Sequence, residues 1–344
     1  MNSLEASSIK QSPNISVIIV NYNGGEWLQR SVNSVAAQDF SDFECLIVDN
    51  ASSDGSQAAL TLPDERFRLI KLETNTGFAV ANNYAAKEAK GKWIALLNPD
   101  AFAAPDWLSQ MLAATKRWSD IAMVGSLQRM ALEDGILDGA GDFYHFTGLA
   151  WRAKFGHPET ETFDDYEAFG PCAAAALYKA ELFHAVGGFD ERFFCYHEDV
   201  DLAFRIRLAG GRCVQTDKAV VDHVSSGISG RASDFAVYHG TRNRIWTFFK
   251  NMPLPLLIIL LPVHIALNFA FLGWSLFRKG RFKPTFKGVR DGFFGLRAVW
   301  RQRKAIHTIR TLSGWQLMKH LAWSPLNVVK RDIPPLPALK RKNL

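Results

Sequence analysis

Cysteine is scarce in this sequence of 344 residues and occurs only as Cys45, Cys172, Cys195 and Cys213. No two of them form a C-x-x-C pair, which counts against a zinc ribbon or a dithiol redox motif. Buried free thiols in a reducing compartment are the expectation for such cysteines. The sequence also lacks a low-complexity tract, and with 48% hydrophobic and 22% charged residues its composition is that of a globular protein.

The N-terminal residues, MNSLEASSIKQSPN, lack both the apolar run and the basic start of a signal peptide. We expect residues 1–13 to form a disordered lead. The remaining length suffices for about two domains. We divide it into an α/β domain, residues 14–235, and a C-terminal helical region, residues 236–344.

Charge is distributed unevenly along the chain. Residues 278–310 hold eleven Lys or Arg and a single acid, Asp291, and residues 311–344 add a further net charge of +5. Because the whole chain has a net charge of +6, residues 1–277 carry a net charge of −9. An acidic body with a basic tail predicts an anionic partner for the tail, and both nucleic acid and an anionic membrane surface fit that description.

Residues 253–277 contain no Lys, Arg, Asp or Glu, and 25 residues are enough to span a bilayer. Three prolines, His264 and Asn268 count against a span. A single crossing would also carry the basic residues that follow to the far side, against the positive-inside tendency. We therefore expect a kinked hairpin or an interfacial helix with both ends cytoplasmic. The alternative is a buried helix that covers a dimer interface. Because the apolar run adjoins the basic, aromatic stretch, membrane binding is favoured over nucleic-acid binding.

Short apolar runs alternate with helical patterns in the first 125 residues. Strands are predicted at 15–20, 43–48, 67–72, 93–97 and 121–124, and helices at 26–38, 79–90 and 105–118. Residues 126–170 show no clear periodicity, which is typical of a functional loop or of a small excursion from the main fold. A strand at 173–178, short helices at 179–186 and up to Leu208, and a last strand at 220–223 complete the pattern. This alternation predicts βαβ units, a Rossmann-like fold and a mostly parallel sheet flanked by helices.

Parallel sheets bind ligands at the carboxyl ends of their strands, and polar residues follow several of the predicted strands here. Asp100 follows a buried strand and suits a Mg²⁺ or Mn²⁺ ion, which prefers oxygen ligands. His223, after another apolar run, could supply a nitrogen ligand. Such an ion would neutralise the charge of a nucleotide diphosphate leaving group. The acidic pair Glu198 and Asp199 precedes a helix and is the candidate for deprotonating an attacking hydroxyl group.

Four segments make a resemblance specific. They occur in order over residues 15–223 and read ISVIIVNYNGGEWLQRSVNSVAAQDF, ECLIVDNASSDGS, NTGFAVANNYAAKEAKGKWIALLNPDA and VGGFDERFFCYHEDVDLAFRIRLAGG. They resemble the successive motifs of family 2 glycosyltransferases with the GT-A fold. The Asn-Pro-Asp form and the later YHGTRNRIW resemble the bacterial rhamnosyltransferase-like branch.

The resemblance implies roles for individual residues. Asp199 matches the catalytic base, with Glu198 beside it, and Asp100 and His223 match the metal ligands. Asn98 holds the position where the family has a first aspartate, so only one carboxylate is present in this motif, and we place Asn98 at the nucleotide. The remaining implied nucleotide contacts are Val20, Asn21, Tyr22, Asp49, Asn75 and Gly77, with Asp49 at the base.

Several of these residues have structural alternatives. Asp49 could cap the turn that follows it, and Asp100 could cap the helix near Pro105. His223 could be a hydrogen-bonded polar residue and not a metal ligand. Glu198 could orient Asp199 or bind the acceptor. We expect Asp201 and Arg205, four residues apart, to form a structural ion pair. The pair Gly187-Gly188 reads as a turn, whereas Arg242 and Arg244 could contact pyrophosphate, lipid headgroups or only solvent.

The implied activity is an inverting transfer of a sugar, with dTDP-L-rhamnose as donor and a polyprenyl-diphosphate-linked saccharide as acceptor. The product would enter O-antigen or another cell-surface polysaccharide, at the cytoplasmic face of the inner membrane, and a homodimer remains open. A UDP- or GDP-linked donor is one alternative. A nucleotidyltransferase is another, although the first strand is not followed by a glycine-rich, basic phosphate loop. A non-catalytic, membrane-bound scaffold that binds sugar nucleotides is the third.

Overall fold

The computed structural model describes residues 12–160, 163–225 and 233–342. The expected disordered lead, residues 1–13, lies outside them except for residues 12 and 13. The strands are β1 (Ile15–Asn21), β2 (Phe43–Asp49), β3 (Phe67–Lys71), β4 (Trp93–Leu97), β5 (Ala101–Ala103), β6 (Ile121–Met130), β7 (Leu137–Ala140), β8 (Asp142–Tyr144), β9 (Ala150–Arg152), β10 (Tyr166–Ala168), β11 (Ala175–Lys179) and β12 (Arg212–His223). The helices are α1 (Trp27–Ala36), α2 (Ser56–Ala59), α3 (Gly77–Glu88), α4 (Trp107–Arg117), α5 (Ala180–Ala185), α6 (Glu198–Leu208), α7 (Asp234–Asn251), α8 (Leu254–Leu276), α9 (Phe282–Phe294), α10 (Leu296–Thr308), α11 (Gly314–Met318) and α12 (Pro325–Lys330).

The central sheet has the strand order β10-β12-β6-β11-β4-β1-β2-β3, with β5 beside β12 and β7 beside β6. Strands β1 to β4 pair in parallel, as the alternating pattern predicts. Strand β11 runs antiparallel between β4 and β6, so the sheet is mixed, with more antiparallel pairing than we expected. The α/β class with flanking helices and a C-terminal helical region is confirmed.

Residues 126–170 contain more regular structure than their sequence suggests. Strand β6 continues to Met130, β7 pairs with it, and β8 and β9 form a separate hairpin. Strands β7 to β10 are only three or four residues long. Segments that short are too brief to show a period in the sequence.

The C-terminal helices pack on the α/β domain around a shared apolar cluster that includes Tyr144, Phe204, Phe248, Leu257 and Leu317. Helix α9 lies against α7 through small residues. A Cβ atom added at Gly288 would lie 2.8 Å from Thr241 of α7, and one at Gly292 would lie 2.7 Å from Ile245. Glycine at these positions therefore allows the two helices to approach closely.

The last described residues return to the α/β domain. The Ser119 amide donates to the Lys340 carbonyl at 2.9 Å, and the Trp151 indole donates to the Asp332 carbonyl at 3.1 Å. The chain before α8 and the chain after it thus both contact the same domain.

A buried charge network joins α6 to α7. Lys250 of α7 donates to Asp190 at 2.6 Å and to Asp201 of α6 at 2.7 Å, and its side chain is only 1% exposed. Asp201 also pairs with Arg205 at 2.8 Å, which confirms the expected structural ion pair. Arg205 in turn donates to the carbonyls of Val186 and Gly188, at the turn that was predicted there.

We expect Lys250→Met to destabilise the protein strongly, because it leaves the buried carboxylates of Asp190 and Asp201 without their shared cation. Removing one partner of such a pair costs about 3–5 kcal/mol. Thermal unfolding followed by circular dichroism should show a clear fall in the midpoint. The control Lys304→Met removes an exposed lysine of α10 and should leave the midpoint within about a degree. Equal midpoints for the two variants would contradict this account of the network.

The apolar segment forms one continuous helix, α8, of 23 residues, so a hairpin within residues 253–277 was a wrong expectation. The physical reason lies in where the prolines stand. Pro253 and Pro255 lie at the start of the helix, where backbone amides have no intrahelical acceptor, and only Pro262 lies inside. By length and composition α8 is the single described helix that could cross a membrane.

Candidate active site

A cavity of about 830 Å³ opens at the edge of the sheet where β1, β4 and β12 end. Nine predicted site residues line it: Val20, Tyr22, Asn75, Gly77, Asn98, Asp100, Glu198, Asp199 and His223. They come from segments that are far apart in the sequence, from Val20 to His223. The sheet brings them together because strand ends share one edge.

Polar side chains from the turns after β1, β2 and β3 form one end of the cavity. Asn50, which the sequence analysis did not single out, donates to Asn75 Oδ1 at 3.0 Å and accepts from the Thr76 amide at 2.9 Å. Gly77 has φ +82°, and a Cβ atom there would lie 2.6 Å from the ring of Phe194. Only glycine fits this contact, which brings Phe194 over this end of the cavity.

Asn21 and Asp49 are buried behind the cavity wall and do not line it. Asn21 donates to Asp49 at 2.8 Å, and Asp49 accepts from the Ser52 amide at 3.2 Å. Asp49 thus caps the turn after β2, which is its structural alternative. Its contact with a nucleotide base stays a prediction.

His223, at the end of β12, lies between two carboxylates. Its Nε2 is 3.3 Å from Asp100 Oδ1 and 3.4 Å from the Asn98 amide nitrogen, and its Nδ1 is 2.8 Å from Asp138 Oδ2. Burial alone would lower the pKa of His223, but hydrogen bonds to Asp100 and Asp138 raise it to about 9. Asp100 does not cap a helix, because α4 begins only at Trp107 after Asp106, so that alternative was wrong.

This arrangement fits a divalent cation. Asp100 offers an oxygen and His223 a nitrogen toward the same part of the cavity. A carboxylate that fixes the other ring nitrogen, as Asp138 does, is the usual support of a histidine metal ligand. Asp138 lies in the segment without clear periodicity, so no pattern in the sequence identifies it.

Glu198 and Asp199 also line the cavity, at the first turn of α6. Asp199 accepts from the Val200 amide at 2.8 Å and from the Ala173 amide at 3.4 Å. Burial raises the pKa of Asp199 above its ordinary value, and burial together with the Asp199 charge raises that of Glu198 further. An aspartate that holds a proton more readily than usual is suited to accept one.

A second acidic cluster lies next to Asp199. Asp142, Cys172 and Asp199 each place a possible ligand atom within 4.8 Å of the others. Arg152 donates to Cys172 at 2.7 Å and to Asp138 at 2.5 Å. Its guanidinium group therefore already places a positive charge beside this cluster. Burial and the charge of Asp199 raise the pKa of Asp142 to about 8. A hard cation prefers oxygen ligands and has less reason to bind beside a thiol and a guanidinium.

The loop before α6 is strained and held by α7. Phe194, Tyr196 and His197 all have φ between 62° and 66°, which is unfavourable for bulky side chains. Asn243, fully buried in α7, donates to the carbonyls of Phe193, Cys195 and Tyr196 at 3.1, 3.0 and 2.7 Å. This contact gives the YHGTRNRIW segment a structural role, because it fixes the loop that leads into the acidic pair.

The two arginines of that segment do not form a solvated face. Arg242 donates to the carbonyls of Arg192 and Phe193, at 3.1 and 3.2 Å, and supports the same loop. Arg244 donates to Asn268 of α8 at 2.7 Å. The alternative that these arginines face only solvent was therefore wrong for both, because each guanidinium group donates hydrogen bonds within the protein.

A family profile described as "Glycosyl transferase family 2" matches residues 16–187, half of the chain. This segment includes the β1, β2 and β4 ends of the cavity. The chain belongs to glycosyl transferase family 2. The resemblance predicted from the four motifs is confirmed, and the chain is a glycosyltransferase by family.

Curated relatives of this glycosyltransferase include two named for polysaccharide or lipid-linked sugar synthesis. It is 30% identical over 233 residues to the O-antigen biosynthesis protein RfbC of Myxococcus xanthus, covering 63% of this chain and 18% of that protein. It is 27% identical over 252 residues to an N-acetylglucosaminyl-diphospho-decaprenol L-rhamnosyltransferase of Mycobacterium tuberculosis, covering 65% of this chain and 80% of the relative. The chain thus spans less than a fifth of the first relative and most of the second.

Solved structures show the same fold. A GalNAc-T7 structure with UDP, GalNAc and Mn²⁺ superposes with a TM-score of 0.57 at 17% identity, over 70% of this chain and 48% of that one. The mannosyltransferase PcManGT of Pyrobaculum calidifontis, in complex with GDP-Man and Mn²⁺, superposes with a TM-score of 0.53 at 17% identity, over 87% and 86%. At these identities the likeness establishes the GT-A fold alone.

Proposed function

We propose that this glycosyltransferase inverts the anomeric centre of a nucleotide sugar as it transfers the sugar to a lipid-linked saccharide. The observation that carries the proposal is that Asp100, His223 and Asp199 line one cavity. We further propose dTDP-L-rhamnose as donor and a polyprenyl-diphosphate-linked saccharide as acceptor. The mycobacterial relative, whose name specifies L-rhamnosyl transfer to such a lipid, supports this choice.

The nucleotide would lie at the end lined by Val20, Tyr22, Asn50, Asn75 and Gly77. Asn21 and Asp49 would act there indirectly, because their mutual hydrogen bond holds the turns that carry the lining residues. Asn98 would contact the donor beside Asp100. Turn-borne amide and hydroxyl groups are well suited to bind a base and ribose.

Asp100 and His223 would hold Mg²⁺ or Mn²⁺, with Asp138 fixing the orientation of the histidine. When bound, such an ion supplies positive charge for the diphosphate leaving group.

Asp199 would accept the proton of the acceptor hydroxyl as that oxygen bonds to the anomeric carbon. The bond from that carbon to the diphosphate breaks in the same displacement, and the nucleoside diphosphate leaves. A single displacement requires no covalent nucleophile from the protein. Glu198 either orients Asp199 or contacts the acceptor.

The raised pKa of Asp199 predicts where activity is lost in acid. The base must be ionised, so kcat/KM should fall as the pH falls through that pKa. The acidic limb of the pH profile should therefore lie above the ordinary pKa of aspartate, about 4. A pH profile of kcat/KM at saturating metal ion measures it, and a limb at or below pH 4 would contradict a buried Asp199 as base.

A panel of dTDP-, UDP- and GDP-linked sugars tests the donor, with nucleotide release measured in the presence of Mn²⁺ or Mg²⁺. We expect release to be fastest with dTDP-L-rhamnose. If a UDP- or GDP-linked sugar is preferred, the proposed donor is wrong but the proposed reaction stands. No binding of any nucleotide sugar by calorimetry would contradict the proposal as a whole.

Attachment at the cytoplasmic face of the inner membrane completes the proposal. The donor is made in the cytosol and the acceptor is anchored in lipid, so an enzyme at that surface reaches both. The basic C-terminal region and α8 support attachment.

A further inference from the structure

Helix α8 has two different faces. Leu257, Leu260, His264 and Asn268 lie on the side buried against the protein. The opposite side, which we call the outer face, exposes Ile258, Ile259, Val263, Phe269 and Leu276, with exposed fractions between 43% and 65%. No charged residue occurs anywhere in α8. A helix of 23 residues is about 34 Å long, so this face is a long apolar strip.

The buried side of α8 is tied to the rest of the protein by polar contacts near its middle. His264 Nδ1 lies 2.8 Å from the Thr147 carbonyl, and its ring stacks on Phe248 at 3.9 Å. Asn268 accepts from Arg244 at 2.7 Å. A helix that crossed a bilayer would have to break these contacts or take the α/β domain into the hydrocarbon.

The segments before and after α8 also lie together. Helices α7 and α9 are in close contact, and the later residues 319–342 return to the α/β domain. If α8 meets a bilayer, the chain before it and the chain after it therefore lie on the same side of that bilayer.

Basic and aromatic residues follow the outer face at the junction between α8 and α9. Arg278 lies 4.7 Å from the ring of Trp274, and Phe282 stacks on Phe286 at 5.8 Å. Lys283 and Lys287 are exposed beside them. Aromatic rings and long basic side chains are suited to the headgroup level of an anionic bilayer.

We propose that the outer face of α8 lies in the plane of an anionic lipid bilayer, with residues 274–287 among the headgroups, and that α8 does not cross it. This specifies the membrane attachment within the proposed function. A symmetric dimer through the same face is disfavoured, because it would bring together two copies of a stretch with a net charge of +10.

The buried side of α8 contacts the hairpin that lines part of the cavity. The Thr147 contact of α8 lies in the turn between β8 and β9, and these strands supply Asp142, Ala150, Trp151 and Arg152 to the cavity. The hairpin therefore links the docked helix directly to one wall of the site.

Flotation of the full-length protein with vesicles tests the proposal. We expect binding to vesicles of phosphatidylcholine with phosphatidylglycerol, weaker binding to phosphatidylcholine alone, and release by alkaline carbonate. The double variant Ile258→Glu, Ile259→Glu should lower the bound fraction at least about tenfold. The control Leu132→Glu, at a 74% exposed leucine between β6 and β7, should bind as the wild type does.

Three outcomes would overturn the proposal. The first is wild-type binding by the double variant, and the second is retention of the wild type after carbonate treatment, as for a spanning helix. The third is a lipid-free dimer in ultracentrifugation that the double variant converts to monomer, since a second copy would then cover the face. Nucleotide release in detergent, measured on the same samples, keeps these outcomes separate from any failure of the proposed reaction.

Discussion

Asp199→Asn should lower kcat by about 10²–10⁴-fold, the range that a positioned general base contributes. The side chain keeps its size and its place at the first turn of α6, but the amide cannot take a proton from the acceptor. Donor binding should change little, since Asp199 accepts from the Val200 and Ala173 amides and neither residue is a predicted nucleotide contact. Steady-state kinetics with calorimetric donor affinity separate the two effects.

Asp222→Asn is the matched control for that substitution. Asp222 precedes His223 in β12, but it pairs with Arg129 at 2.7 Å and does not line the cavity. We expect its kcat to stay within about twofold of the wild type. Full activity of Asp199→Asn would remove the proposed base from the mechanism, and an equal loss in both variants would point to a structural effect.

Asp100→Asn should lower kcat/KM by about 10²-fold or more and weaken Mn²⁺ binding in parallel. A bound metal ion is worth several kcal/mol in such reactions, and Asp100 is the only carboxylate in the Asn98-Pro99-Asp100 motif. Activity as a function of Mn²⁺ concentration gives one measure. Electron paramagnetic resonance of free Mn²⁺ gives a second that does not depend on turnover.

Two further substitutions show whether that loss is specific. Asp106→Asn changes the residue before α4, which β5 separates from Asp100, and should leave Mn²⁺ affinity unchanged. Asp142→Asn tests the other acidic cluster. If Asp142→Asn abolishes Mn²⁺ binding and Asp100→Asn does not, the metal ion lies beside Asp199 and not beside His223.

The sequence was sufficient for the parts of the site that follow long, regular strands. Asn98 and Asp100 follow β4, and the order of the four motifs is enough to identify the family. Hydrophobic periodicity locates such strands, and their carboxyl ends locate the polar residues.

Residues that act through other side chains were not predictable in this way. Asp138 and Arg152 lie on short strands, and their importance arises only from distances to His223 and Cys172. Asn243 appeared within a recognised segment, but its three carbonyl contacts depend on a strained loop about 50 residues earlier in the chain. Asp49 is the opposite case. The motif predicted that it contacts the nucleotide, but it lies behind the wall of the cavity.

The rival functions differ from the proposed one in what the cavity would do. A scaffold would need the residues that bind the nucleotide but no catalytic base, and the acidic pair Glu198 and Asp199 lines the same cavity. A nucleotidyltransferase would release diphosphate from its nucleotide substrate and leave the nucleotide attached to the product. Analysis of the products therefore distinguishes all three.

The most direct measurement is the product formed from dTDP-L-rhamnose, Mn²⁺ and a polyprenyl-diphosphate-linked saccharide, identified by mass spectrometry and by the anomeric signal in NMR. The account predicts a rhamnosylated lipid of inverted anomeric configuration, formed by the wild type and not by Asp199→Asn. Retained configuration, or a product formed equally fast without the Asp199 carboxylate, would contradict it.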